Sequence, residues 1–432
     1  MDSETRKTEL RKIAENSNNV VMTGIPLKYH GEIKRENVYK IPLDYLVYNK
    51  YNGRIGAAVQ SYEAQNAQLN PEIESDRDII EKFLFESKEE RNQKTMRSLL
   101  QDGQQRYGIV TADGKIVDGN RRAMLLNRLY KNREHFKLSH KDVEHCQYFL
   151  AIILPDDASE RDMQKLETVY QMGEDDKVDY NSIEKYLKCK ALKEYFTTHD
   201  IAEFMGEKES KIKEWLDILT LMEEYLDSYG YKSIYTRLEK TEGPFVDLNG
   251  YLNSYKKRGA NISNMDWEFD DSDLADLKLV CFDYIRARYE GKEFRDIAKT
   301  GIDGSIFFFK DIWQKFLAEH QSISIEEESV DDLKQKYPKE DLSQLLRSRD
   351  IDWKNKIENN LKGNLKKHTS KLDDKRDANQ PQQLLEKAFN ALNSIDIKQK
   401  SFYEIPEVEQ LVKDINSIIW EMKKLLDRKC KQ

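Results

Sequence analysis

The hydrophobic pattern changes character near Pro155. Before it, short apolar runs alternate with helical ones. Residues 37–47, NVYKIPLDYLV, alternate in part and predict a strand, and NKYNGRIG after it is turn-like through its Asn and Gly residues. Residues 1–34 read as a short polar helix and a connector. Residues 55–95 begin polar and then carry the run IIEKFLFES, which predicts an insertion or lid that becomes helical. TMRSLLQDGQ predicts a helix ending near Gly103, where glycine can take the left-handed conformation that closes a helix. YGIVTADGKIVDG predicts a hairpin, because Asp113-Gly114 favours a tight primed turn. RRAMLLNRLYKN has helical spacing, and residues 147–154, QYFLAIIL, are the clearest strand.

Beyond Pro155 the pattern is helical, with expected spans at 158–172, 180–197, 199–205, 208–228, 232–240 and 272–289. The acidic run MDWEFDDSDLADL (265–277) predicts a solvated turn and a helix start, where carboxylates meet the positive helix end. Residues 361–385 are polar with little periodicity and predict a linker. In the last helix Val408, Leu411, Val412, Ile415, Ile418, Ile419, Met422, Leu425 and Leu426 recur at three- and four-residue steps. That is an amphipathic or coiled-coil stripe, suited to packing within the chain, to self-association or to a protein partner. The resulting organisation is an extension (1–34), a mixed domain (35–155), a helical domain (156–260), a second helical domain (261–360), the linker, and an association module (386–432).

Composition narrows the class. The 432 residues are too many for one ordinary core. Hydrophobic residues at 38% and aromatics at 10% suffice for folding despite 35% charge, and the scarcity of Gly (18) and Pro (8) agrees with a mostly helical chain. A net charge of −8 argues against a wholesale nucleic-acid coat but leaves room for a local basic site. Cys146, Cys189, Cys281 and Cys430 lie far apart, without zinc spacing or a disulfide framework, so a reducing cytoplasmic setting is expected. His140, His145 and Cys146 are close but irregularly spaced for zinc. No run reaches the roughly 18 apolar residues of a membrane span, so no membrane partner is expected. Serine-hydrolase, Walker-loop and zincin motifs do not occur.

The sharpest chemistry lies in IVDGNRR, where a strand turns through Asp118, Gly119 and Asn120 into a helix opened by Arg121 and Arg122. A helix start offers unpaired N–H groups and partial positive charge, a glycine lets a ligand approach the backbone, and arginines add bidentate donors. The stretch predicts an anion site suited to polyphosphate. Asp118 would orient an arginine or a metal, and Asn120 would cap the helix or read a sugar or phosphate. The competing reading is a capped helix with two solvated arginines.

The order of motifs resembles the ParB and sulfiredoxin superfamily. Partition-type ParB proteins have an early box Asn-Pro-Tyr-Gln-Pro-Arg. Here Asn49, Tyr51 and Arg54 fall in that pattern, with Asn52 for glutamine and Gly53 for proline. A helix ending in glycine and an apolar strand follow, as in MRSLLQDGQQRYGIV. A Gly-x-Arg-Arg box is matched by Gly119-Asn120-Arg121-Arg122, and a further strand by FLAIILP. The resemblance, over about residues 35–220, implies an α+β fold with a ParB/sulfiredoxin-like N-terminal domain followed by predominantly α-helical domains. It implies a nucleoside triphosphate, CTP or ATP, with Mg²⁺, but no specific protein metal site. Arg121 and Arg122 would clamp phosphates, Gly119 and Asn120 would supply backbone contacts, and Arg54 would reach the same phosphates, with Asn49 and Tyr51 beside them. The family's Glu-Asn-x-Gln-Arg box, tied to metal and hydrolysis, is incomplete. Gln171 fits, Glu167 is one step off register, and Thr168, Val169 and Met172 replace the Glu, Asn and Arg. Downstream, Asn181, Ile183 and Glu184 resemble the family's Asn-Pro-Ile-Glu-Glu. A weak CTPase or ATPase activity stays open.

Two further motifs carry expectations. DGQQR (102–106) resembles a signature of phosphorothioate-sensing and modification-dependent restriction proteins, but it follows a helix rather than a strand. It reads as a helix end, with Gln104 and Arg106 as lesser pocket candidates. Residues 198–217 have helix-turn-helix spacing at Ala202, Gly206 and Ile212, which makes Lys208, Ser210, Lys211 and Lys213 candidate DNA contacts. Glu209, Glu214 and Asp217 weaken that attraction, and a plain helical hairpin has the same packing needs. The expected function is a nucleotide-binding, DNA-associated switch acting in partition, gene regulation or phage defence. The alternatives are a ParB-fold phosphotransferase or nuclease, and a non-catalytic interaction scaffold with a degenerate pocket.

Overall fold

Five strands form one mixed sheet in an α+β protein. In the computed structural model, which describes residues 1–172, 181–287, 293–323, 325, 327–338, 340 and 342–429, they are β1 (Val20–Tyr29), β2 (Glu32–Pro42), β3 (Gly108–Val110), β4 (Ile116–Asp118) and β5 (Tyr148–Ile153). The order is β1-β2-β5-β3-β4, antiparallel throughout except for the parallel β3–β5 pair, with Ile109 opposite Ile152. Residues on alternate sides of the strands feed two cores. Ile41, Val110, Ile116, Phe149 and Ala151 face one, while Val38, Ile109, Val117 and Ile152 face the other.

The first face is covered by α1 (Ser3–Glu15), α2 (Gly56–Glu63), α3 (Glu74–Glu86), α4 (Glu89–Asp102) and α5 (Asn120–Lys131). The expected insertion at 55–95 is therefore corrected. Val59, Ile80 and Leu84 are fully buried with Leu126 of α5, because the apolar residues of those helices are needed to close the sheet face. The expected extension at 1–34 is corrected as well. Residues 20–34 build a hairpin that turns at His30-Gly31, both with positive φ (52° and 82°). Its pattern was hidden by Gly24 and Pro26, which an edge strand tolerates. The strand expected at 37–47 stops at Pro42, where a 3₁₀ turn over Leu43–Tyr45 intervenes. Helix α4 does end at Gly103 (φ 68°), and the β3–β4 hairpin is present, but it turns through Ala112-Asp113 with Gly114 (φ 86°) after them rather than through a primed Asp-Gly pair.

The second face meets α6 (Glu160–Met172) through Leu166. The chain continues as α7 (Ser182–Leu192), α8 (Thr198–Met205), α9 (Glu209–Ser228), α10 (Glu242–Lys257), α11 (Asp271–Ala287), α12 (Phe294–Ala298), α13 (Lys310–Gln321) and α14 (Val330–Lys336). The acidic run does start α11, where Asp270 and Asp273 each accept an N–H of the other. The helix expected at 232–240 is only a 3₁₀ turn at Tyr235–Leu238. Helix α10 was masked by Gly243, Pro244 and Gly250, the proline being tolerated in a first turn. Residues 180, 288 and 289 of the expected helices, and Cys430, lie outside the described residues.

The chain divides into two compact units, Met1–Gly363 and Asn364–Gln432. The expected linker at 361–385 is corrected, since α15 runs unbroken over Leu342–Asn393. Its polar residues are mostly helix-compatible and solvated, while Leu361, Asn364, His368 and Leu372 are buried, and Pro381 stands within the helix. The short α16 (Ser401–Glu404) and α17 (Pro406–Lys429) follow. Among the described residues no helix is long and apolar enough to cross a membrane.

Candidate functional site

The turn from β4 into α5 is made by Gly119, whose φ of 105° suits glycine. A Cβ at this position would lie 2.6 Å from Cζ of Phe149. The close approach brings the start of α5 against β5 and fixes where the two arginines emerge.

The arginines divide their labour. Both terminal nitrogens of Arg122 are engaged. Its Nη2 donates to Asp118 Oδ2 at 2.6 Å, and its Nη1 donates to the carbonyls of Arg106 (2.7 Å) and Tyr107 (3.0 Å). It pins the segment before β3 to α5, and Asp118 orients this arginine. Arg121 is the opposite case. Its Nη1 is buried and has no hydrogen-bond partner among the described residues. Burial, and then the guanidinium groups of Arg54, Arg91 and Arg122, push its pKa down from 12.5 to about 10. A buried cation crowded by cations is costly until an anion arrives.

Asn120 does not cap the helix, since Gly119 holds that position. Its buried amide instead ties down the 49–54 loop. Its Oδ1 accepts the N–H of Asn49 at 3.0 Å, and its Nδ2 donates to the Asn49 carbonyl at 3.4 Å. Asn49 and Asn52 shape that loop by accepting the N–H groups of Tyr51 and Arg54 at 3.1 and 3.2 Å. The loop thus carries Arg54 into the electrostatic environment of Arg121, while the Tyr51 ring is exposed and lies 4.7 Å from the Lys50 ammonium.

Two carboxylates hold the same loop from behind. Glu167 accepts the Gly53 N–H at 3.1 Å and pairs with Lys188 at 2.9 Å, both side chains being buried. Both of its oxygens are thus engaged in structural contacts. Gln171 is buried on the same helix. Glu184 accepts the Ala57 N–H with both oxygens, at 3.2 and 3.3 Å, and so neutralises the start of α2. Burial pushes its pKa up to about 7, against the pull of the Ala57 and Gly56 N–H groups. A cavity of about 410 Å³ opens beside it, lined in part by Arg54, Phe83, Lys88, Asn181, Glu184 and Thr236. That volume is within the range of small-molecule sites.

Gln104 is engaged in the sheet. Its amide spans the Arg106 and Leu150 carbonyls at 2.8 Å and accepts the Leu150 N–H, so it completes the edge of β5. Arg106 is exposed in the segment that Arg122 anchors. At the expected helix-turn-helix, two helices, α8 and α9, are joined at Gly206. Thr197 and Asp200 form a capping box, Gly206 ends α8 in the left-handed region (φ 64°), and Ala202 and Ile212 are buried. Lys211 and Lys213 are ion-paired to Glu214 (3.0 Å) and Glu209 (2.7 Å), while Lys208 and Ser210 are exposed at the start of α9. Sequence reasoning missed Arg91, which stands in an ordinary polar helix pattern, and Lys188, whose burial no local pattern signals. Among the described residues no cluster of three or more His, Cys, Asp or Glu side chains could hold a metal.

Compared with protein-family models, curated proteins and solved structures, the chain matches none.

Proposed function

We propose that the head of α5 binds the phosphates of a nucleoside triphosphate, CTP or ATP, and that the chain is a ParB-like nucleotide switch associated with DNA. One observation carries the reading: the buried, partnerless Nη1 of Arg121 amid three further guanidinium groups. A phosphate there would satisfy the orphan donor and relieve the crowding in one step. Mg²⁺ would ride on the phosphate oxygens and water, as it commonly does without a dedicated protein cage. Arg54 belongs to the 49–54 loop, Arg91 to α4 and Arg121 to α5, so one polyphosphate would join three separate elements. That joining is the proposed switch, and it replaces ordering of a lid. The commitment of Glu167 to Lys188 and Gly53 favours binding over hydrolysis. DNA engagement is assigned to the exposed start of α9, where Lys208 and Ser210 stand.

Isothermal titration with CTP, ATP and GTP, with and without Mg²⁺, tests the reading. Saturable binding that Arg121→Met abolishes is expected, and absence of binding by any of the three overturns it. Phosphate release or transfer would redirect it towards an enzyme. A gel-shift measurement at two salt concentrations tests the DNA assignment, which fails if replacing Lys208 and Ser210 leaves binding unchanged.

A further inference from the structure

Helix α17 carries an apolar stripe that nothing in its own unit covers. Leu411, Ile418 and Leu425 are 58%, 55% and 63% exposed. The spacing is heptad-like. Val408, Ile415 and Met422 fill one seam position, and Leu411, Ile418 and Leu425 fill the other. At 24 residues the helix is about 36 Å long, enough for three full heptads.

The charges indicate what covers the stripe. In the first half of α17, Glu407, Glu409 and Asp414 outnumber Lys413. In the second half, Lys423, Lys424 and Arg428 outnumber Glu421 and Asp427. The helix is therefore complementary to itself when reversed, and opposed helix dipoles act in the same direction. We infer that α17 pairs antiparallel with α17 of a second copy of this chain. The register that opposes the two seam positions places Val408 on the partner's Leu425, Leu411 on the partner's Met422, and Ile415 on the partner's Ile418. Glu407 then flanks the partner's Arg428. Asp414 meets the partner's Glu421, the one repulsive flank. The inference is independent of the anion site.

The test uses the full chain. Light scattering coupled to size exclusion should give a dimer at micromolar concentration. Ile418→Glu, which buries a carboxylate in the seam, should weaken association by on the order of a hundredfold with the circular dichroism spectrum retained. Glu421→Lys, which turns the repulsive flank attractive, should tighten it about tenfold. Orientation is read by disulfide formation in a Cys430→Ser background. Antiparallel pairing separates two copies of position 411 by about 16 Å along the axis, beyond the roughly 7 Å that a disulfide spans. Mixed Leu411→Cys and Met422→Cys chains should therefore crosslink to each other, and neither variant should crosslink alone. A monomer throughout the micromolar range overturns the inference. Crosslinking of either single variant with itself overturns the antiparallel assignment, as does unchanged or weaker association of Glu421→Lys.

Discussion

Replacing Arg121 by methionine should make the ligand-free protein more stable while removing its response to polyphosphate. The fall of the guanidinium pKa from 12.5 to about 10 means that the folded state disfavours the charge. Taken whole, that fall corresponds to about 3 kcal/mol. The side chain is partly open to water, and screening reduces the figure to about 1–2 kcal/mol. Methionine keeps an unbranched apolar stem about as long as the arginine's aliphatic part and removes both the charge and the orphan donor. Urea denaturation at pH 7, followed by circular dichroism, should show a raised midpoint with an unchanged slope. With triphosphate at a hundred times its dissociation constant, the wild type should gain about 2.7 kcal/mol and the variant almost nothing. A variant less stable than the wild type without ligand would refute the reasoning, since the guanidinium would then be making contacts that stabilise the fold.

Glu184→Gln should remove a pH dependence. The folded-state pKa of Glu184 is raised to about 7 from an ordinary 4.5, so its contribution is fully present below pH 4.5 and is lost as pH rises through 7. The stability difference between variant and wild type should grow in the variant's favour by up to about 3 kcal/mol from pH 4.5 to pH 8, and a difference flat with pH would contradict the cause given. Glu167→Gln should destabilise by about 3–5 kcal/mol because it strands buried Lys188, measured by the same denaturation. Gly119→Ala should lower the thermal midpoint and weaken nucleotide binding together, because the added methyl strikes the Phe149 ring and the backbone is strained at φ 105°. Binding retained at full affinity in a folded Gly119→Ala protein would show that the turn geometry does not set the site.

Local chemistry explains what could be read directly. The helix end at Gly103 and the helix behind Asn120 each depend on a few neighbouring residues, and each appears where its residues predict. The errors arise where distant packing decides. Nothing within VVMTGIPLKY reveals an edge strand, because the partner that makes it one begins beyond the turn at His30 and Gly31. The division between Arg121 and Arg122 was equally hidden. Adjacent in sequence, they point into different surroundings, and only the carbonyls of Arg106 and Tyr107 make one of them structural. Arg91 joins the cluster because α4 packs beside α5, a contact no motif in α4 announces.

The Phe149 ring has a consequence for how this sequence can diverge. A Cβ at Gly108 or at Gly119 would collide with the same ring, from β3 and from the head of α5. The three positions thus form one unit of variation. A relative that keeps the phenylalanine must keep both glycines, and a smaller residue at position 149 would still leave the Asp118 carbonyl 2.7 Å from a Cβ at Gly108 and a φ of 105° at Gly119. Retention of both glycines and the phenylalanine would mark descent with the α5 turn intact, even where the arginines themselves have been replaced.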